Sequence, residues 1–109
     1  MSYSIKTIPR FDKQLKRLVK KHPSFKADFI NFVASLKINP EQGTALGNNC
    51  YKIRLAITSK GKGKSGGARV ITNLIIHAKT VYLISIYDKS EKTNITDREL
   101  ADLLKDIPQ

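Results

Sequence analysis

The apolar positions of this chain repeat first with the period of a helix and later with the period of a strand. In the first third of the chain, two segments with apolar side chains every three or four residues are separated by His22-Pro23 and ended by Asn39-Pro40. The first segment begins at Pro9, a residue tolerated at the first helical position. The second follows Ser24, a residue type that caps helices. The pattern therefore predicts two helices in an antiparallel hairpin.

The second half of the chain has the period of two that is typical of strands. Strands are predicted over residues 51–58, 69–77 and 80–87. The last two are apolar on both faces, as expected at the centre of a sheet, and their short link suits a hairpin. A further alternation over residues 2–7 predicts an edge strand.

A final helix is predicted near the end of the chain. Thr96 and Glu99 have the spacing of a capping box, and apolar positions continue on one helical face as far as Pro108. The element order strand-helix-helix-strand-strand-strand-helix predicts a single α+β domain over residues 1–109. In this two-layer fold the helical hairpin packs on one face of an antiparallel sheet.

The composition adds a strong positive charge to this picture. The net charge is +11 over 109 residues, with a pI near 10.0, which predicts attraction to nucleic acid or to an acidic protein. The single cysteine, Cys50, excludes an internal disulfide and a zinc site built from several cysteines. The apolar stretches are too short to span a bilayer. We therefore expect a cytoplasmic protein with no membrane partner, no metal site and no other cofactor.

The positive charge is concentrated in one long segment. Between Gln42 and Tyr87 the chain has seven cations and no Asp or Glu, and four of the cations lie in the sequence Lys60-Gly-Lys-Gly-Lys-Ser-Gly-Gly-Ala-Arg69. Glycines let backbone N–H groups approach a phosphate closely. Gly63-Lys64-Ser65 matches part of a nucleotide-binding P-loop, but Thr58 stands where that pattern needs glycine. Lysine- and glycine-rich loops are also common as solvated loops without a function.

Further cations flank this loop. Lys52 and Arg54 share the polar face of a predicted strand, and Lys89 follows the last strand close to Tyr87. Each has an ordinary explanation, because outer faces of antiparallel sheets are solvated and strand-end lysines form weak surface ion pairs. If the strands and the loop converge on one side of the sheet, these cations instead form a phosphate site, and Tyr87 offers a ring on which a base stacks.

Three segments resemble the RelE/ParE superfamily of bacterial toxins: Cys50-Tyr-Lys-Ile-Arg-Leu55, Arg69-Val-Ile71 and Val81-Tyr-Leu-Ile-Ser-Ile-Tyr-Asp-Lys89. The lysine and glycine loop is most similar to the HigB branch. The resemblance implies a type II toxin that cuts mRNA on the ribosome. The implied reaction is attack of a ribose 2′-OH on the adjacent phosphate without a metal ion. The implied partners are a cognate antitoxin, mRNA on the ribosome and ribosomal RNA.

The resemblance also implies a set of site residues. Within the catalytic set, Lys52 or Lys64 accepts the proton of the 2′-OH. Arg69 stabilises the charge of the phosphorane, and Lys89 protonates the leaving 5′-oxygen. The remaining site residues are interpreted as contacts to RNA: Arg54, Lys60, Lys62 and Tyr87.

Two alternative functions remain open at the level of sequence. ParE-like members of the superfamily share the fold but inhibit DNA gyrase, and a basic domain can bind RNA without cutting it. The retained strand cations favour the nuclease. The loop is longer than in RelE, and Asn94-Ile95-Thr96 occupies the region of a stacking tyrosine of that family. The nuclease interpretation requires Lys52, Arg69 and Lys89 to lie close enough together to act on one phosphate.

Overall fold

The computed structural model of the chain describes residues 2–108. Its elements follow in the order β1 (Ser4–Thr7), α1 (Pro9–Lys21), α2 (Phe25–Ile38), β2 (Thr44–Gly47), β3 (Cys50–Leu55), β4 (Ala68–Ile75), β5 (Thr80–Asp88) and α3 (Asp97–Leu104). Two single turns of 3-10 helix, Thr58–Lys60 and Lys64–Gly66, lie in the connection between β3 and β4. The predicted α+β class is confirmed.

The five strands form one sheet in the order β1-β5-β4-β3-β2. Strands β3 to β5 pair in the predicted antiparallel manner, with β4 between the other two. A further strand, β2, pairs antiparallel with β3. Strand β1 is the predicted edge strand, but it runs parallel to β5, so the sheet is mixed. A hairpin link would force antiparallel pairing. All the other strands lie between β1 and β5 in the chain, and this long connection permits the parallel direction.

Strand β2 is the element that the periodicity did not predict. Strand β2, Thr44–Gly47, lies in a segment rich in glycine and asparagine between the second predicted helix and the strand predicted at residues 51–58. Asn48 and Asn49 make the turn to β3 with φ of 54° and 59°. Asparagine tolerates this left-handed region better than most residues. The buried Asn73 of β4 secures the turn, since its Nδ2 donates to the carbonyl oxygen of Asn48 at 3.0 Å.

The helices begin largely where the sequence indicated. Pro9 is the first residue of α1, and the capping box of α3 is confirmed by reciprocal bonds between Thr96 and Glu99 of 3.0 and 3.1 Å. The predicted cap at Ser24 is wrong. Ser24 directly precedes α2, but its backbone angles are helical and its side chain makes no capping bond. The N–H groups of Phe25 and Lys26 donate instead to the carbonyl oxygens of His22 and Pro23. No helix within residues 2–108 is long and apolar enough to cross a bilayer.

The core lies between the sheet and the α1–α2 hairpin, and α3 covers part of the other face. Ile53 of β3 borders Phe32 of α2 on the hairpin side. On the opposite side, Leu103 of α3 lies beside Ser85 and Tyr87 of β5. Because both faces are covered, β4 and β5 are buried along almost their whole length. On β3, in contrast, Arg54 is exposed and Lys52 is half-buried, and the part of the strand beyond Lys52 has no pairing with β2.

Candidate nucleic-acid interface

A groove at the edge of β3 brings together three of the predicted site cations. It is lined by Lys52 and Arg54 of β3, by Lys64 of the loop before β4, and by residues 42–44. Strand β2 pairs with β3 only as far as Lys52, so the rest of the β3 edge is left to this groove. Residues 42–44, which form one wall of the groove, can lie this close to β3 because residue 43 is glycine. A Cβ at Gly43 would lie 2.3 Å from the carbonyl oxygen of Lys52. We call this feature the cationic groove.

The strand register places the other site residues at the same end of the sheet. Arg54 lies directly opposite Arg69 of β4, and Arg69 lies directly opposite Tyr87 of β5. Opposite residues in antiparallel strands share a face and have Cα atoms about 5 Å apart. Lys52 is two residues from Arg54, on the same face of β3. The row Arg54–Arg69–Tyr87 therefore borders the cationic groove.

Lys89 lies on the far side of this row. It follows the last residue of β5, and its backbone N–H donates to the carbonyl oxygen of Gly67 at 3.0 Å. Two strand spacings across the sheet and about four residues along it separate Lys89 from Lys52, which corresponds to about 16 Å between their Cα atoms. The sheet thus holds Lys52 and Lys64 on one side of Arg69, and Lys89 on the other.

Most of these cations have no acidic partner. Within residues 2–108, no ion pair is made by four exposed cations of the site: Arg54, Lys62, Lys64 and Lys89. Lys52 is half-buried, and its Nζ donates to Oδ1 of Asn94 at 3.4 Å, in the segment between β5 and α3. Clustered positive charges without a counter-charge attract an anion. The part of the chain that the structure describes has no group of three His, Cys, Asp or Glu side chains that could hold a metal ion.

Arg69 is directed into the protein. Only 4% of it is exposed. Its guanidinium donates to the carbonyl oxygens of Lys64 at 2.9 Å, Ala68 at 3.1 Å and Ser65 at 3.3 Å. Arg69 therefore supports the turn that carries Lys64. Direct contact with a phosphate would require the guanidinium to leave these carbonyls.

Lys60 is also engaged inside the protein, by an acid outside the acid-free segment. Its side chain is 16% exposed, and Nζ donates to Oδ1 of Asp88 at 2.6 Å. Burial acts to raise the pKa of Asp88, but hydrogen bonds from Lys60 and Ser90 outweigh it and lower that pKa to about 2. Among the predicted RNA contacts, Lys60 is therefore the one that the geometry favours least.

Tyr87 is covered rather than open to solvent. It is 9% exposed and lies in a cavity with Gln14, Lys92 and Leu103. Burial raises the pKa of Tyr87, and the positive charge of Arg69 offsets this in part. No hydrogen-bond partner for its hydroxyl is found among the described residues. Because Tyr87 is almost fully buried, a base could stack on this ring only if neighbouring side chains moved away.

Two parts of the site were not identified from the sequence. The wall formed by residues 42–44 was missed because β2 was not predicted. Asp88 was not recognised as the partner of Lys60, although a signal exists: it is the first acid after the acid-free segment that starts at Gln42. A buried lysine in such a segment has to find its counter-charge beyond the segment.

Comparison with known protein families identifies the family to which this chain belongs. The model of the family described as the RelE toxin of the RelE/RelB toxin–antitoxin system matches residues 11–107. This chain belongs to the RelE toxin family. The resemblance to the RelE/ParE superfamily is thereby confirmed, and the protein is a RelE toxin of a toxin–antitoxin system. The similarity of the lysine and glycine loop to the HigB branch stays a prediction.

Solved structures of Escherichia coli RelE share the fold. A free RelE variant with two arginines changed to alanine has a TM-score of 0.65 and 19% identity, and the match covers 99% of this chain and 100% of that chain. The toxin–antitoxin complex RelBE of E. coli includes a chain with a TM-score of 0.59 and 20% identity, with 80% and 96% covered. The same RelE variant bound to a peptide of the antitoxin RelB has a TM-score of 0.52 and 20% identity, with 99% and 100% covered.

Proposed function

We propose that this RelE-family toxin is a ribosome-dependent mRNA endoribonuclease whose reaction uses no metal ion. The observation that carries the proposal is the convergence of Lys52, Arg54 and Lys64 on the cationic groove from a strand and a separate loop. These cations make no ion pair with a described carboxylate. Their charge is therefore available to a phosphate of the mRNA backbone.

The proposed reaction uses a nucleophile that belongs to the RNA. The ribose 2′-oxygen bonds to the adjacent phosphorus, and the bond from phosphorus to the 5′-oxygen of the next nucleotide breaks. The 2′-OH proton passes to a base on the protein, and the 5′-oxygen gains a proton. The products are a 2′,3′-cyclic phosphate and a 5′-OH. The protein has only to align the attack and stabilise the charge that develops on the phosphate.

The two sides of the site suit the two proton transfers. In an in-line displacement the attacking and leaving oxygens lie on opposite sides of the phosphorus. Lys52 or Lys64, in the cationic groove, takes the proton of the 2′-OH. Lys89, across the row of Arg69, gives a proton to the 5′-oxygen. Arg69 adds positive charge behind the turn that carries Lys64 and so stabilises the phosphorane.

The remaining cations bind the RNA and the partners. Arg54 contacts the phosphate in the groove, and Lys62 contacts the backbone beside it. The exposed polar face of α1 binds ribosomal RNA through Lys13, Lys16, Arg17 and Lys20. E. coli RelE is found in complex with its antitoxin RelB. We propose that a cognate antitoxin with an acidic segment covers the basic surface of this chain in the cytoplasm.

Cleavage of mRNA on purified translating ribosomes tests this function. Lys52→Gln combined with Lys64→Gln should lower kcat at least about 100-fold, because it removes the candidate bases and two charges that stabilise the transition state. Lys6→Gln with Lys37→Gln is the matched control. It removes the same charge outside the cationic groove and should stay within about threefold of wild type. Lys6 belongs to β1 at the opposite edge of the sheet, and Lys37 lies in α2, where its carbonyl oxygen accepts from the N–H of Tyr3.

Three results would contradict the proposal. A folded Lys52→Gln/Lys64→Gln protein with cleavage close to wild type would remove the groove from the mechanism. A wild-type protein that inhibits supercoiling by gyrase and leaves mRNA intact would point to a ParE-like function. Salt-dependent RNA binding without scission at any protein concentration would leave only a basic RNA-binding domain.

A further inference from the structure

The buried carboxylate of Asp88 joins three parts of the chain. The side chain of Asp88, at the end of β5, is 1% exposed. Its Oδ1 accepts from Nζ of Lys60 at 2.6 Å, and from the N–H and hydroxyl of Ser90 at 2.9 and 2.8 Å. Its Oδ2 lies 3.5 Å from Nε2 of His22, just after α1. One side chain thus connects the cationic loop, the turn after β5 and the end of α1.

Lys60 completes this connection from the side of the loop. Its Nζ also donates to the carbonyl oxygen of Gly66 at 3.2 Å, which closes the loop across six residues. The next residue, Gly67, passes so close to β3 that a Cβ would lie 2.1 Å from the carbonyl oxygen of Leu55. The carbonyl oxygen of Gly67 in turn accepts from the N–H of Lys89. The base of the loop is therefore fixed to both neighbouring strands.

The exposed tip of the loop is held at its two ends. Lys60 holds the first end through Asp88, and Arg69 holds the second through the carbonyl oxygens of Lys64 and Ser65. Residues 61–65 between these ends are exposed, and they carry Lys62 and Lys64. The two fixed cations are buried or nearly so, whereas Lys62 and Lys64 are exposed. Of these two, Lys64 lines the cationic groove.

We infer that the Lys60–Asp88 pair is an anchor that positions Lys64 for mRNA cleavage, an inference that rests on the proposed function. Lys60 is then a positioning residue and makes no contact with RNA. The physical reason is that a buried carboxylate is strongly disfavoured unless it is paired, so the pair selects one arrangement of the loop. A catalytic group displaced by about 1 Å loses rate steeply, whereas binding through exposed charges depends little on such displacements.

The experiment compares variants that change the anchor in different ways. Lys60→Met combined with Asp88→Asn removes both charges, so no buried charge is left alone and the fold is retained. Lys60→Arg keeps the charge and serves as the conservative variant. Lys105→Met with Asp102→Asn, which removes an exposed ion pair at the end of α3, controls for the loss of one charge of each sign. Unfolding midpoints report whether each variant is folded.

Two measurements distinguish a failure of the proposed anchor from a failure of the proposed nuclease function. Hydrogen exchange is measured at the amides of Gly61 and Gly67, which donate to the carbonyl oxygens of Thr58 and Lys64 and so report the order of the loop. This readout needs no RNA. Steady-state cleavage of ribosome-bound mRNA then gives kcat and KM separately.

If the Lys60–Asp88 pair anchors the loop, hydrogen exchange at the amides of Gly61 and Gly67 should be about tenfold faster in Lys60→Met/Asp88→Asn. The anchor also predicts about a tenfold fall in kcat with KM within about threefold, and near wild-type values for Lys60→Arg. Unchanged exchange would overturn the anchor, as would faster exchange with kcat unchanged. A raised KM with unchanged kcat would make Lys60 an RNA contact. If wild-type protein cut no mRNA, the proposed function would fall, and exchange alone would decide whether the pair orders the loop.

Discussion

Lys60 and Lys64 belong to one loop and have opposite surroundings. Lys60 is 16% exposed and ion-paired with Asp88, whereas Lys64 is exposed and lines the cationic groove. Buried charge has to be neutralised inside the protein, while exposed charge remains available to an outside anion. The same residue type therefore serves two purposes, and position relative to one distant acid decides which.

The two arginines of the site show the same contrast. Arg54 and Arg69 lie directly opposite each other on β3 and β4. Arg54 is exposed and lines the groove, whereas Arg69 is buried and donates to three carbonyl oxygens. A basic sheet surface is thus a mixture of supporting and ligand-binding cations. The same substitution made at a supporting cation and at a ligand-binding cation should therefore have different effects on stability and activity.

Among single substitutions, the largest expected effects come from Arg69→Ala compared with Lys89→Ala. Both should lower mRNA cleavage at least about tenfold, since one removes charge behind the turn of Lys64 and the other removes the proposed acid. Only Arg69→Ala should also destabilise the protein, by about 1–3 kcal/mol, because one buried and two partly buried carbonyl oxygens lose their donor. Lys89 is exposed, and its loss should change the free energy of unfolding by no more than about 0.5 kcal/mol.

Urea unfolding and ribosomal cleavage of the two variants measure this difference. Equal stability of Arg69→Ala and Lys89→Ala would mean that the bonds from Arg69 to Lys64 and Ser65 contribute nothing to the fold. Wild-type cleavage by both variants would discard their roles in the reaction.

An intermediate effect is expected from the acid dependence of stability. The pKa of Asp88 is lowered from 3.8 to about 2 in the folded protein. A depressed carboxyl pKa contributes stability that is present above pH 3.8 and is lost as the pH falls toward 2. The contribution is about 2 kcal/mol.

This contribution should disappear with the carboxylate. The free energy of unfolding of wild type should exceed that of Lys60→Met/Asp88→Asn by about 2 kcal/mol more at pH 6 than at pH 2. The measurement is chemical denaturation at both pH values. A stability difference independent of pH would show that Asp88 titrates normally and that its contacts with Lys60 and Ser90 are weak.

The smallest expected effect concerns the salt dependence of RNA binding. Each exposed lysine on a phosphate releases counterions, so Lys62→Gln should reduce the slope of log affinity for single-stranded RNA against log salt by about 0.7. Lys60→Met/Asp88→Asn should leave the slope unchanged, because Lys60 is neutralised by Asp88. Fluorescence anisotropy at several salt concentrations provides the slopes. An equal loss of slope in both variants would remove the distinction between anchored and exposed lysines.

Much of the fold follows from local patterns in the sequence. The helical face of α1 starting at Pro9, the Thr96–Glu99 capping box and the apolar strands β4 and β5 are all confirmed, because each depends on residues close together in the chain. The features that were missed depend on distant partners. Strand β2 is short and exists through its pairing with β3, and the parallel direction of β1 is set by β5.

The candidate site was predictable as a set of residue types but not as a set of environments. Composition and the RelE resemblance located the cations, and the register places them at one end of the sheet. Lys60 and Arg69 are largely buried, whereas Lys62 and Lys64 are exposed. The surroundings of Lys60 depend on Asp88, which lies 28 residues further along the chain. The same limit applies to Tyr87, which is 9% exposed and shares a cavity with residues that are distant in the chain, such as Gln14 and Leu103.

The central claim is that the exposed cations of the groove act on one phosphate of mRNA while the anchored ones support them. The most direct test is a structure of this protein on a ribosome carrying mRNA with a 2′-O-methyl group at the cleavage position, which blocks the nucleophile. We predict one phosphate within about 3–4 Å of nitrogens of Lys52, Arg54 or Lys64, with Lys60 still bound to Asp88. An mRNA path over another face, or a Lys60 that leaves Asp88 to contact the phosphate, would contradict the account.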